Sequence, residues 1–137
     1  INKIQLSNAI LANNSNLQKI IKIVHKEIRN NMKSFLKKNK NKKFVILDIP
    51  LLLENKINTK KDILIYVESK RTDILRNLKK RNNFNQKILN KFKKIQLPLV
   101  YKKKHSNFII KNNFTKKSVK SEVRNILNII INERSSS

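Results

Sequence analysis

The side chains of this sequence that could do chemistry gather in three short polar words: Asp48-Ile49-Pro50, Glu68-Ser69-Lys70 and Asn112-Asn113. Each word ends an apolar run rich in β-branched residues, at 44–49, 63–67 and 107–111. Such runs, bounded by charge or proline, predict strands buried on both faces. The words therefore sit at the carboxyl ends of strands, the edge that holds the ligand in open α/β sheets. Each also has a plainer reading. Asp48 would cap the turn after it, and Asn-Asn is ordinary in a turn after a strand.

Other chemistries are excluded by composition. The chain has no cysteine and only two histidines, so thiolate sites and disulfides are ruled out and a zinc cluster has too few ligands. It also has no glycine. Phosphate-cradling loops such as G-x-x-x-x-G-K-[ST] and G-x-G-x-x-G need glycine for close backbone approach, so neither can lie within these residues.

The formal charge is +25, from 33 Lys+Arg against 8 Asp+Glu. A basic surface can bind nucleic acid by counterion release, but composition gives a simpler cause. Lysine, asparagine and isoleucine number 27, 22 and 21, together 70 of 137 residues, and all three can be encoded by A and T alone. Arginine, the preferred base reader, numbers only six. An AT-rich genome accounts for the charge, and nucleic-acid binding is the lesser reading. No apolar run approaches the length of about 18 residues that spans a bilayer, and no signal peptide is expected among these residues. A soluble cytoplasmic protein is expected.

The elements that must position the polar words follow from periodicity. A short helix is predicted over 1–14. A longer one is predicted over 16–38, started by the capping box Ser15-Asn16-Leu17-Gln18. Its apolar stripe is Leu17, Ile21, Val24, Ile28 and Phe35, with His25 at the flank, where a lone histidine is usually a packed core residue. Further helices are predicted at 72–81 and 86–95, with Pro98 opening another helical turn. Thr115 caps a last helix over 116–133, with Val119, Val123, Ile126, Leu127 and Ile130 inward, and serines 135–137 are expected to fray. Strands alternating with helices imply a parallel sheet with crossovers.

Taken in order, these words resemble the dephospho-coenzyme A kinase family of P-loop kinases. The words that match are Leu47-Asp48-Ile49-Pro50-Leu51-Leu52-Leu53-Glu54, Lys80-Arg81-Asn82-Asn83, Gln96-Leu97-Pro98-Leu99 and Ser106-Asn107-Phe108-Ile109-Ile110-Lys111-Asn112-Asn113. Upstream, Ile1-Asn2-Lys3, Leu6 and Val24-His25-Lys26-Glu27-Ile28 are similar to the family's I-D-R and L-H-P-x-[VI] stretches. The chain departs from the pattern at Asn2, Lys3, Lys26, Asn107 and Phe114, which stand for Asp, Arg, Pro, Asp and Gly. A β-carbon at Phe114 is expected to obstruct a positive-φ turn.

The resemblance implies a partial P-loop kinase-like α/β domain over 1–137. A helical acceptor region would occupy 1–42, the α/β core 43–71 and 106–134, and a helical lid 72–105. The P-loop strand would precede Ile1 and lie between strands present here, so the chain is expected to be a piece of the enzyme and inactive alone. The implied reaction moves a phosphoryl group from ATP, with magnesium, to the ribose 3′-hydroxyl of dephospho-coenzyme A, the last step of coenzyme A synthesis. Arg76 and Arg81 are the implied lid arginines that meet phosphoryl charge; read alone, they are exposed helix arginines. Asn112 and Asn113 would contact adenine through amide donors and acceptors. Lys3, His25, Arg29 and Pro50 would face the acceptor. Asp48 would approach magnesium through water, while Glu54 would orient its loop, and His105 has no family counterpart. Other P-loop nucleoside or nucleotide kinases and a basic nucleic-acid-binding module are the alternatives.

Overall fold

The computed structural model describes residues 2–135. In chain order its elements are α1 (Lys3–Ala12), α2 (Asn14–Lys38), β1 (Ile65–Glu68), α3 (Arg71–Lys79), α4 (Gln86–Ile95), α5 (Leu99–Lys104), β2 (Phe108–Lys111) and α6 (Lys116–Ser135). The elements are mixed α/β and include one parallel strand pair among the described residues. Two compact units divide it, one of residues 1–59 with 85–96, the other of residues 60–84 with 97–137.

In the first unit, asparagines start every helix. Asn2 caps α1, its Oδ1 accepting from the amides of Ile4 and Gln5 at 3.0 and 3.3 Å. Asn13 caps α2 by accepting from Ser15 N at 2.9 Å. The predicted capping box at Ser15 therefore lies inside the helix, because Asn13 makes the capping bond two residues earlier. Asn85 does the same for α4, accepting from Lys87 and Ile88 at 2.9 and 3.1 Å.

The buried stripe of α2 also differs from the predicted one. It runs through Leu17, Ile21, His25, Ile28 and Met32, a helical spacing with His25 at its centre rather than its flank. Val24 and Phe35 are exposed. By its ten residues, α1 is about 15 Å long against about 37 Å for α2, too short to cover the stripe as far as Phe35. Across α1 lies α4, with Ile88, Leu89, Phe92 and Ile95 half-buried, as periodicity predicts. Lys91 joins the two helices, its Nζ donating to the carbonyls of Ile10 and Leu11 at 2.7 and 3.1 Å. A cation there satisfies carbonyls at the end of α1 that have no helical partner.

Residues 44–49 form no strand, which corrects the expectation of three. Composition supplies β-propensity, but a strand is completed by a neighbour's hydrogen bonds. Among the described residues no strand pairs with this run, and Ile46 is 86% exposed.

The second unit holds the sheet. β1 and β2 pair in parallel from Ile65 opposite Phe108 to Glu68 opposite Lys111. Asn107 fixes the start of the ladder. Its Oδ1 accepts from Leu64 N and its own amide donates to Leu64 O, both at 2.8 Å. The outer edge of each strand has no neighbouring strand among the described residues, and Ile65 and Val67 on β1 are exposed. On β2, Ile110 is buried in the same unit as Ile126 and Ile130 of α6, which packs on this strand. Val123, expected inward, is exposed. α6 runs to Ser135, whose hydroxyl donates to Ile131 O at 3.0 Å, so the predicted fraying does not include Ser135. Ser136 and Ser137 lie outside the described residues. Among the described residues, no helix is long and apolar enough to cross a membrane.

Candidate functional site

The candidate residues form two groups, one in each unit. In the first unit, the segment after Asp48 and Pro50 winds into a tight turn over 50–57. Leu51 and Lys56 sit in the left-handed region at φ 53° and 48°, a conformation that costs an L-residue about 1–2 kcal/mol. Backbone bonds close the turn: Asn55 N to Leu51 O at 3.1 Å, Lys56 N to Leu53 O at 3.2 Å and Ile57 N to Leu52 O at 3.1 Å. Ile57 anchors it by burial.

Two predicted residues of α2 grip this turn. The Nε2 of His25 lies 3.0 Å from Asn55 Nδ2, and Arg29 Nη2 donates to Asn55 O at 2.8 Å. Asn55 Nδ2 also donates to Leu51 O at 2.9 Å. His25 is only 7% exposed, and its Nδ1 has no hydrogen-bond partner among the described residues. A buried unpaired donor costs about 1–3 kcal/mol. The structure thus brings His25 and Arg29 onto the turn that follows Pro50.

Asp48 and Pro50 are exposed where the turn begins. No described residue hydrogen-bonds the Asp48 carboxylate, so it does not cap the turn. Glu54 is half-buried within the turn. Lys3 is exposed in the first turn of α1 and makes no hydrogen bond to this group.

In the second unit, Asn112 and Asn113 leave the end of β2 beside the end of β1, with Asn112 N donating to Glu68 O at 2.7 Å. Their carboxamide oxygens are turned into the loop. That of Asn112 accepts from Phe114 N at 2.8 Å. That of Asn113 accepts from Thr115 N at 3.0 Å, Thr115 Oγ1 at 2.7 Å and Ser118 Oγ at 2.6 Å. Each amide nitrogen stays without a partner among the described residues. The pair therefore offers free N–H donors, and the Asn112 oxygen, which accepts a single bond, keeps a second lone pair.

Phe114 occupies the position of the family glycine at φ 63°. The expected obstruction does not occur. The residue accepts the left-handed conformation while its side chain stays half-exposed and its amide is held by Asn112.

Two arginines expected to meet phosphoryl charge differ in their surroundings. Arg76 on α3 pairs with Asp73 at 2.7 Å, with its side chain largely exposed. Arg81 lies past the end of α3, exposed, and pairs with no carboxylate among the described residues. On β1, the carboxylate of Glu68 accepts from Lys103 at 2.8 Å. His105 is exposed, its Nδ1 2.9 Å from Tyr101 O.

Among the described residues, no three His, Cys, Asp or Glu side chains gather as a metal group. A cleft of about 380 Å³ in the first unit is lined by Ser15, Leu17, Gln18, Lys91, Lys94 and Ile95 and contains none of the candidate residues. Asn55 is the site residue that periodicity and motif reading missed. Its contact with His25 spans thirty positions of chain, and no local pattern marks it.

Comparison with known proteins adds the following. The family model described as dephospho-CoA kinase matches residues 1–118. The chain is 31% identical over 129 residues to the dephospho-CoA kinase of Wolbachia sp. subsp. Brugia malayi, covering 93% of this chain and 66% of that protein. To the dephospho-CoA kinase of Wolbachia pipientis wMel it is 32% identical, with the same coverage. To that of Bacillus anthracis it is 31% identical over 127 residues, covering 90% of this chain and 62% of the relative. The chain thus spans slightly less than two-thirds of the length of these relatives.

Proposed function

From the premise that this chain belongs to the dephospho-CoA kinase family, we propose that it serves the ATP-dependent phosphorylation of the ribose 3′-hydroxyl of dephospho-coenzyme A. That reaction is the last step of coenzyme A synthesis, and the protein would act in the cytoplasm. The observation that supports this reading most directly is the grip of His25 and Arg29 on the turn after Asp48 and Pro50. It gathers residues of two separate family words into one place.

Phosphoryl transfer asks a protein mainly for positioning and charge stabilisation. On the acceptor side, Arg29 and Lys3 supply cations for the acceptor's phosphates, Pro50 lines the acceptor, and His25 acts through the turn it holds. On the nucleotide side, the free amide N–H groups of Asn112 and Asn113 hold ring nitrogens of adenine. Arg81 and Arg76 neutralise the transferring group with their planar, always-charged forks. The free carboxylate of Asp48 suits magnesium, which keeps several waters and takes one or two carboxylates besides substrate phosphates. Asp48 would hold the ion through water, and the bound ion would neutralise phosphate charge.

The phosphate cradle is not among these 137 residues, since they include no glycine. The reading therefore requires a cradle supplied from outside them, and residues 1–137 alone should not catalyse transfer. Two measurements test this. Isothermal titration of the chain with dephospho-coenzyme A should show saturable binding, and its absence would remove the acceptor reading. A gene product extended upstream by an in-frame G-x-x-x-S-G-K-[ST] segment should turn over dephospho-coenzyme A with ATP, while residues 1–137 should not. Turnover by the short chain would refute the requirement for an outside cradle. The charge of +25 favours one rival, a nucleic-acid-binding module. That rival predicts steeply salt-dependent DNA or RNA affinity, and a salt slope near zero removes it.

A further inference from the structure

We propose that Asn55 is a positioning residue, which fixes the turn after Asp48 and Pro50 to α2 by locking His25 in one tautomer; the proposal rests on the acceptor-side reading given above. The Asn55 carboxamide sets the direction of these bonds. Its nitrogen lies 2.9 Å from Leu51 O and 3.0 Å from His25 Nε2. A carbonyl oxygen only accepts, so the group facing Leu51 must be the NH₂ end of the amide. The second N–H of that same nitrogen then meets Nε2, which must be the unprotonated, accepting nitrogen of the ring. The proton of neutral His25 is thereby placed on Nδ1, the buried atom with no partner among the described residues.

Leaving a buried donor unmatched is unfavourable, so the bond to Asn55 is what keeps the ring in this state. The turn itself needs an outside tether, because Leu51 and Lys56 both hold left-handed backbone. Asn55 provides two such tethers, its side chain to His25 and its carbonyl to Arg29. Asn55 acts on the acceptor through these partners and does not touch it.

The test uses the 137-residue chain. Two-bond ¹H–¹⁵N spectra of the imidazoles should show His25 as a single Nδ1–H tautomer, and Asn55→Ala should convert it to a mixture. By titration calorimetry, Asn55→Ala should weaken dephospho-coenzyme A binding about tenfold, the scale of one lost hydrogen bond. His25→Leu should do the same. His25→Gln, whose Oε1 can accept in place of Nε2, should stay within about threefold of the parent, a rescue on the same hydrogen-bond scale. This pair carries the comparison if Asn55→Ala fails to fold. An Nε2–H tautomer in the parent overturns the proposal. So does parental affinity in folded Asn55→Ala, or equal loss in His25→Gln and His25→Leu, and in both cases the acceptor reading stands. A parent that does not bind dephospho-coenzyme A overturns the acceptor reading and this inference with it.

Discussion

Arg76 and Arg81 are both proposed to meet phosphoryl charge, and their neighbours separate them. Arg76 already shares its charge with Asp73 at 2.7 Å, a surface pair worth about 0–1 kcal/mol. Arg81 has no such partner among the described residues, so it breaks no ion pair on meeting a phosphoryl group. In the upstream-extended enzyme, Arg81→Ala should lower kcat at least tenfold more than Arg76→Ala, roughly the weight of one charge-assisted hydrogen bond. Steady-state kinetics of the two variants checks this, and equal losses would remove the distinction between them. Phe114 invites a second substitution. Relief of left-handed strain in Phe114→Gly is worth about 1–2 kcal/mol, and the added freedom of the unfolded chain returns about 0.4–1 of it. The variant should therefore melt at a higher temperature than the parent by calorimetry, and a lower one would show that the aromatic ring packs usefully.

Among the elements, the joint between α1 and α4 has a polar clasp in Lys91. Lys91 satisfies two terminal carbonyls of α1 from a half-buried position. Lys91→Met keeps the length of the stem and removes the clasp. It should destabilise the chain by about 1.5–3 kcal/mol, the range for hydrogen bonds to a charged group, read from urea unfolding. Elements whose signal is local were legible from sequence. The strands at 63–67 and 107–111, the helix at 86–95 and the last helix all appear close to their predicted bounds. The strand at 44–49 was misread because a pairing partner is not a property of the segment itself. The α2 stripe departs from periodicity at Val24 and His25 because hydrophobicity alone does not decide which side chain faces inward. In the candidate site, the words containing Asp48, Pro50, Asn112 and Asn113 were visible as polar punctuation after apolar runs. Asn55 was not, because its importance lies in a partner thirty residues away.

Over the whole molecule, the uncovered flank of β1 and the surplus of positive charge pull in opposite directions. Ile65 and Val67 are exposed on a strand whose outer backbone groups have no described strand beside them, the pattern that invites another chain to add on. Mutual repulsion at +25 holds copies apart at low ionic strength. Sodium chloride shortens the reach of that repulsion from about 30 Å at 0.01 M to about 3 Å at 1 M. Light scattering of a concentrated solution should therefore rise as salt is added, the reverse of ordinary salting-in, and Val67→Lys should blunt the rise. For whoever purifies this polypeptide, the practical instruction is to keep the buffer dilute.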